Sequence, residues 1–388
     1  MKSTLDAVIS NFEVSGDFIK DEKIKCGNIN DTYMAIFKSE NGSNNRYIVQ
    51  RINHNVFKEP YKLMENVTAI TQHIRKKVIK QGGDPSRETI NFVPTQKGEY
   101  IYKCDYGNYW RAYNYIGDAR TYQIVEDPIH LYNAGKAFGR FQKFLSDFPV
   151  KNLYDTIPDF HNTPKRFKVL LDAIDQDQAG RVKSVQSEIN FIKKREPELS
   201  LISNLLESGQ LPLRVTHNDT KFNNVLIDNK SGEGICVIDL DTVMPGSSLY
   251  DFGDSIRSGA NTSEEDERDL TKISLDLGLF EEFTRGYLEL AGEFLTPIEI
   301  KYLSFSARLI TLELGMRFLT DHINGDVYFK TNYEGHNLVR TRAQFKLVQD
   351  MEFKYEKMER VVEKYTNGRF SAVYEDINKN KRALFPAL

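Results

Sequence analysis

The sequence predicts an α+β protein of two lobes, a small antiparallel β-sheet lobe followed by a large, mostly helical one. Three observations predict it. Short apolar runs bounded by turn residues dominate residues 1–116, apolar residues at three- and four-residue steps dominate from about residue 128, and one strand-rich island, 212–241, interrupts the helical part. The 388 residues, 40% of them hydrophobic, suffice for two lobes with cores of their own. The space between two lobes is the usual place for a ligand.

In chain order, Thr32–Lys38 and Arg46–Ile52 read as strands around the turn-forming NGSNN of 41–45. A helix is predicted from Pro60 to Lys80, stopped by Gly82 and Gly83. Lys97–Cys104 and Asn108–Ile116 read as strands joined at Asp105-Tyr106-Gly107. Leu131, Ala134, Phe138, Phe141 and Leu145 mark an amphipathic helix, and Tyr302, Phe305, Leu309, Leu312, Met316, Leu319 and Ile323 mark another over 300–323. Within the island, Leu213–Thr216, Asn224–Ile227 and Ile235–Leu240 read as strands, the last two forming a hairpin across the turn-rich 228–234.

Composition narrows the function. A formal net charge of -3 lacks the basic excess of a nucleic-acid binder. No stretch approaches the roughly 20 apolar residues of a membrane helix, and MKSTLDAVISNFEVSG has no apolar core of a secretory signal. Cys26, Cys104 and Cys236 are too far apart for a disulfide framework or a zinc site. The expectation is a cytoplasmic enzyme.

The island carries the chemistry. His217, Asp219 and Asn224 stand in the pattern H-x-D-x-x-x-x-N, and Asp239 and Asp241 end the following apolar run. With the hairpin turn centred near residues 231 and 232, Asn224 faces Asp239. Directly opposed side chains lie about 5 Å apart at Cβ, so an amide oxygen and a carboxylate can share one Mg²⁺, a hard cation that prefers oxygen. Asp219, on the loop just before, can reach a substrate hydroxyl. A carboxylate for the hydroxyl proton plus an Asn and an Asp for metal are the parts of a phosphoryl-transfer site. Turn residues at strand ends are the bland explanation of any one of these; the ordered set favours function. His217 reads as structural. Asp251-Phe252-Gly253 spells the metal motif of protein kinases, but it lies 27 residues beyond Asn224 and past Pro245-Gly246, off the hairpin, so Asp251 reads as an anchor for the catalytic loop.

HNDTKFNNVLID (217–228) and VIDLDTVMPGSSLYDFGD (237–254) resemble the aminoglycoside phosphotransferase and choline kinase superfamily, whose fold is protein-kinase-like. YIVQRINHNVFKEP (47–60), LMENV (63–67), WRAYNYI (110–116), TIPDFHNTPKRF (156–167), GMRFLTDHINGDVYF (315–329) and HNLVRTRAQFKLVQDME (336–352) resemble its N-acetylhexosamine 1-kinase branch. The resemblance implies ATP- and Mg²⁺-dependent phosphorylation of the anomeric hydroxyl of GlcNAc or GalNAc, by a monomer or weak homodimer. It implies a nucleotide lobe over 1–116, a connector near 113–117 and a helical lobe over 117–388. Asp219 would be the base, and Asn224 and Asp239 the metal ligands. Arg51 would hold the ATP phosphates with Glu65 as its helix partner. Gly27 and Asn28 would lie in the phosphate loop 25–30, and Tyr115 and Ile116 against adenine. Arg317 and Tyr328 would hold sugar hydroxyls; the plainer reading is an exposed Glu313–Arg317 helix pair and a packing tyrosine. Two features depart from the family pattern: the phosphate loop has a single glycine, and an arginine replaces the lysine, which is not an equivalent donor. A kinase for an amino alcohol or an aminoglycoside, and a non-catalytic kinase-fold binding protein, are the alternatives.

Overall fold

In the computed structural model, which describes residues 4–24 and 29–366, an antiparallel sheet packs ahead of a helical body. The sheet is built from β1 (Asp17–Ile24), β2 (Asp31–Lys38), β3 (Asn44–Ile52), β4 (Phe92–Val93), β5 (Tyr102–Lys103) and β6 (Tyr109–Asn114), in the order β1-β2-β3-β6-β4, with β5 also pairing β6. Two helices flank it, α1 (Thr4–Ile9) and α2 (Pro60–Lys80). Strand alternation sorts the two faces. Tyr47 and Val49 of β3 and Trp110 and Ala112 of β6 join Leu5, Val8 and Ile9 of α1 in one cluster. Ile52 faces the other way, into a cluster with Leu63, Val67, Ile70 and Ile74 of α2.

α2 has the bounds expected, opened by Pro60 and closed before Gly82, whose φ of 75° suits glycine. The strand expected over Lys97–Cys104 shrinks to Tyr102–Lys103, because Thr95 to Gly98 form a tight turn, with Gly98 N–H on the Thr95 carbonyl. β1 and α1 carried no clear periodic signal; β1 is largely exposed and α1 is a single short helix.

After β6 the chain passes through residues 115–118 to β7 (Ala119–Arg120), which pairs with β9 (Val225–Asp228), itself paired with β10 (Gly234–Val237). β8 (Arg214–Thr216) pairs instead with β11 (Met244–Gly246). The helical body is α3 (Pro128–Leu145), α4 (Thr163–Gln176), α5 (Gln186–Lys193), α6 (Leu201–Glu207), α7 (Ser248–Gly259), α8 (Leu277–Ala291), α9 (Pro297–Lys301), α10 (Leu303–Ile323) and α11 (His336–Tyr365). The helix expected over 300–323 is interrupted at Tyr302, where the short, Thr296-capped α9 ends and α10 begins. α3 and α8 lie backbone to backbone: a Cβ at Gly286 would collide with the Tyr132 carbonyl. α3 also fixes the β9–β10 hairpin, since Asn133 donates to the Gly232 carbonyl and Arg140 to those of Gly234 and Ile235. No helix among the described residues is long and apolar enough to cross a membrane.

Candidate active site

The site is assembled on the loop after β8. Asp251, in the first turn of α7, accepts the backbone N–H of His217 at 2.9 Å and of Asn218 at 2.7 Å, and the Gln142 amide at 2.6 Å. The segment 238–242 holds the rest of the loop. Thr242 donates to the His217 carbonyl, and Asn218, at φ 64°, donates to the Thr242 carbonyl. His217 is buried and spends both ring nitrogens on backbone: Nε2 donates to the Ile238 carbonyl at 2.9 Å and Nδ1 accepts from the Asp219 N–H at 3.3 Å. It is structural, as expected. The rest of the Asp251-Phe252-Gly253 triplet is structural too. Phe252 is fully buried, and a Cβ at Gly253 would strike the Ser306 carbonyl of α10.

With the backbone held, the Asp219 side chain is left to the cleft, 26% exposed. Its carboxylate meets the Lys221 ammonium at 2.8 Å and the Asn224 amide N–H at 3.2 Å. The depth of the cleft works against its charge, but Lys221 outweighs this and holds the carboxyl below the usual range; Lys221 is raised by Asp219 in turn. Asp219 therefore presents a charged carboxylate to the cleft. Lys221 was not singled out from the sequence, although a cation two residues after the acid was there to be read.

Asn224 and Asp239 end neighbouring strands, but one place out of the expected register. Val237 opposes Val225 and the Ile238 N–H bonds the Asn224 carbonyl, because the turn pairs Ile227 with Gly234, two places short of the expected register, and a bulge between Gly234 and Cys236 recovers one of them. Asp239 leaves the ladder at φ 60°. Its position deep in the cleft, then the neighbouring carboxylates of Asp241 and Asp219, push its carboxyl up to about 6, although the side chain remains open to solvent. Acids crowded in this way fit a divalent cation. The side-chain oxygen of Asn224 and the Asp239 carboxylate accept no hydrogen bond among the described residues, and both could hold Mg²⁺.

The expected Arg51–Glu65 pair does not form. Arg51 shares the α1-side face of the sheet with Val49 and Trp110, and bonds Asp31, directly opposite on β2, with Nε at 2.9 Å. Glu65 is exposed and takes the Tyr154 hydroxyl instead. A one-residue step in a strand reverses the face, and the apolar run alone did not say which face carries Arg51. The opposite face carries Gln50 and its cross-strand partner Arg111, which lies 2.5 Å from Asp241. Gly27 and Asn28 lie outside the described residues. Tyr115 and Ile116 lie in the segment joining the two sheets. The Tyr115 N–H bonds the Arg46 carbonyl, while the N–H and carbonyl of Ile116 have no protein partner among the described residues.

On the other side of the loop, His161 Nε2 reaches the Asn218 carbonyl at 3.3 Å and Nδ1 the Glu313 carboxylate at 2.9 Å. Glu313 is thus buried, and also accepts from Thr163; it is not part of an exposed helix pair. Arg317, one turn along α10, lies over Phe160 at 5.7 Å and Phe329 at 5.5 Å, with Arg166 nearby. Burial, then Arg317, work against the charge of Arg166, whose Nε is buried without a partner among the described residues. Asp321 accepts the backbone N–H groups of Val327, Tyr328 and Phe329 and so shapes the loop that holds Tyr328, 69% exposed. His161 and Arg166 went unmarked in the sequence, because nothing local separates them from loop residues.

Residues 22–289 match the model of the phosphotransferase enzyme family. The chain belongs to that family. Similar solved structures agree on the fold. A spectinomycin phosphotransferase in complex with ADP and spectinomycin aligns with a TM-score of 0.54 at 15% identity, over 92% of this chain and 98% of its own. The GDP complex of aminoglycoside 2'-phosphotransferase-IIIa aligns with a TM-score of 0.56 at 13%, over 89% and 99%. Choline kinase from Cryptosporidium parvum aligns with a TM-score of 0.51 at 12%, over 93% and 98%. This phosphotransferase therefore has the kinase-like fold expected, with its antiparallel sheet ahead of its helices.

Proposed function

We propose that this phosphotransferase moves the γ-phosphoryl group of ATP to the anomeric hydroxyl of an N-acetylhexosamine, GlcNAc or GalNAc, giving the sugar 1-phosphate and ADP. The observation that carries the acceptor class is the charge beside the catalytic loop. Arg166 and Arg317 stand there, while Glu313, a buried acid beside them, is committed to His161 and Thr163. A cationic amino alcohol or aminoglycoside would meet repulsion; a neutral, oxygen-rich sugar offers acceptors to guanidinium donors and an apolar face to Phe160 and Phe329.

In this reading the residues divide the work. Asp219, ionised, takes the proton of the anomeric hydroxyl as its oxygen bonds to phosphorus and the bond to the ADP oxygen breaks. Lys221 lies against the transferring group and keeps Asp219 charged. Asn224 and Asp239 would hold Mg²⁺, which when bound neutralises charge on the phosphates. The unpaired N–H and carbonyl of Ile116 would meet the adenine edge, with Tyr115 beside it. Arg317 and Tyr328 would hold the sugar. The proposal includes a nucleotide half over 1–116, an acceptor half over 117–388, and action in the cytoplasm as a monomer or weak homodimer. The test is ADP release across hexosamines, methyl glycosides, hexoses, choline and aminoglycosides. Turnover of GlcNAc or GalNAc, and none of their methyl glycosides, is expected. Turnover of choline or an aminoglycoside but no sugar would overturn it.

A further inference from the structure

We propose that Arg111 is the cation that grips the phosphates of the nucleotide, with Asp241 as its resident counter-ion. The inference rests on the nucleotide reading above and assigns a task that Arg51 cannot perform.

The sheet geometry leads to it. On the face of β3 turned from α1, the chain places Arg46, Ile48, Gln50 and Ile52; the one cation among them, Arg46, lies over the Tyr115 ring at 4.4 Å, at the connector end of the strand. Residues directly opposite in an antiparallel pair project from the same face, and Gln50 is opposite Arg111. At the Gln50 end of that face β3 offers no cation, and the next strand supplies one. Gln50 holds it in place, its carbonyl oxygen accepting from Arg111 Nε at 3.0 Å and Nη2 at 2.8 Å. Nη1 reaches Asp241 Oδ1 at 2.5 Å, and the second carboxylate oxygen of Asp241 accepts the Asn30 amide at 2.6 Å.

Position along the chain supplies the rest. Asp241 lies two residues beyond Asp239, so Arg111 is held at the metal end of the cleft. It is close enough to act on the charge of Asp239. Lys221 stands on the Asp219 side. The two cations bracket the carboxylates between which a triphosphate chain would pass. The pair is buried, at 4% and 3% exposure for its side chains. A buried pair pays a large desolvation cost, and replacing it with apolar groups is often neutral for stability. Its retention beside the metal ligands is accounted for by a ligand that needs the guanidinium. One N–H of Nη2 remains unassigned among the described residues, and a guanidinium suits phosphate oxygens.

The test is calorimetric titration of the whole protein with Mg·ADP and with adenosine, which needs no acceptor. Three variants are compared: Arg51→Met, Asp241→Asn, and Arg111→Met combined with Asp241→Asn, in which no carboxylate is orphaned and the amide still accepts from Asn30. Charge-assisted hydrogen bonds are worth enough for a loss of about tenfold or more. The double variant should lose that much ADP affinity and keep adenosine affinity within about twofold. Arg51→Met should bind ADP like the wild type, and Asp241→Asn, which keeps the guanidinium, should lose clearly less ADP affinity than the double variant. Arg51 is exposed and on the far face, so its variant reads out whether or not the double variant folds. A tenfold ADP loss in Arg51→Met, a loss in Asp241→Asn equal to that of the double variant, or unchanged ADP affinity in the double variant overturns the inference. Failure of the wild type to bind ADP would instead overturn the nucleotide reading itself.

Discussion

Asp251 and Asn218 are joined by a 2.7 Å hydrogen bond from backbone N–H to carboxylate, 33 residues apart in sequence. The same carboxylate takes the His217 N–H, so an acid that spells a metal motif is used to hold the backbone beneath Asp219. Asp251→Ala orphans these two backbone donors and the Gln142 amide, at a cost of about 1–3 kcal/mol each. Thermal unfolding should move down clearly while Mg²⁺-dependent ADP binding persists. Asp239→Ala should do the reverse. The opposite pairing of outcomes would make Asp251 the metal ligand.

Asp219→Asn keeps the shape and the contact to Asn224 but cannot take a proton. Base assistance is worth typically 10²–10⁴-fold. Turnover should fall by that range or more, with ADP affinity close to wild type in titration. Turnover within threefold of wild type would place the base elsewhere.

Arg317 makes ring contacts with Phe160 and Phe329 and no hydrogen bond to protein among the described residues. Arg317→Ala should therefore raise the KM for the sugar about tenfold or more and leave that for ATP nearly unchanged, with the melting temperature intact. Two unchanged Michaelis constants would remove Arg317 from the acceptor site.

Asp228 accepts from the backbone N–H of Ser231, from Arg87 and from the N–H of Lys230, and these hold its carboxyl well below the usual range. Arg87 also donates to the Gly117 carbonyl at 3.1 Å, so this acid ties the segment after α2 to the connecting residues. A carboxyl depressed in the folded state stabilises it fully above the unfolded value, about 3.9, and loses that contribution as pH falls towards the folded value. The stability gap between wild type and Asp228→Asn should be constant from pH 7 to 5 and shrink below about 4. A gap that widens with acid would contradict the assignment.

Gly286→Ala places a Cβ against the Tyr132 carbonyl where α3 meets α8. Overpacking of this kind costs typically 1–3 kcal/mol. Denaturant midpoints should show it, with the KM values for both substrates unaltered.

The sequence by itself determined the elements and the acid set. Apolar runs and helical periodicity placed β2, β3, α2, α3 and α10. H-x-D-x-x-x-x-N followed by Asp239 put Asp219, Asn224 and Asp239 in one island, because those residues are close in the chain and turn chemistry brings them together. That Asp251 stands apart from this set was legible from its place beyond Pro245-Gly246, off the hairpin. What only the tertiary structure decided depends on a face, a bulge or a distant partner. Arg51 and Gln50 are adjacent in sequence, yet strand alternation sends one to α1 and the other to Arg111. The turn and the bulge at Gly234–Cys236 together set Asn224 opposite Ile238. Arg111 meets Asp241 across 130 residues, and His161 meets Glu313 across 152. Periodicity reports that a residue sits on a strand or helix; which side faces the cleft, and what waits there, is settled only when the sheet packs on its two flanks and the helical body closes against the loop.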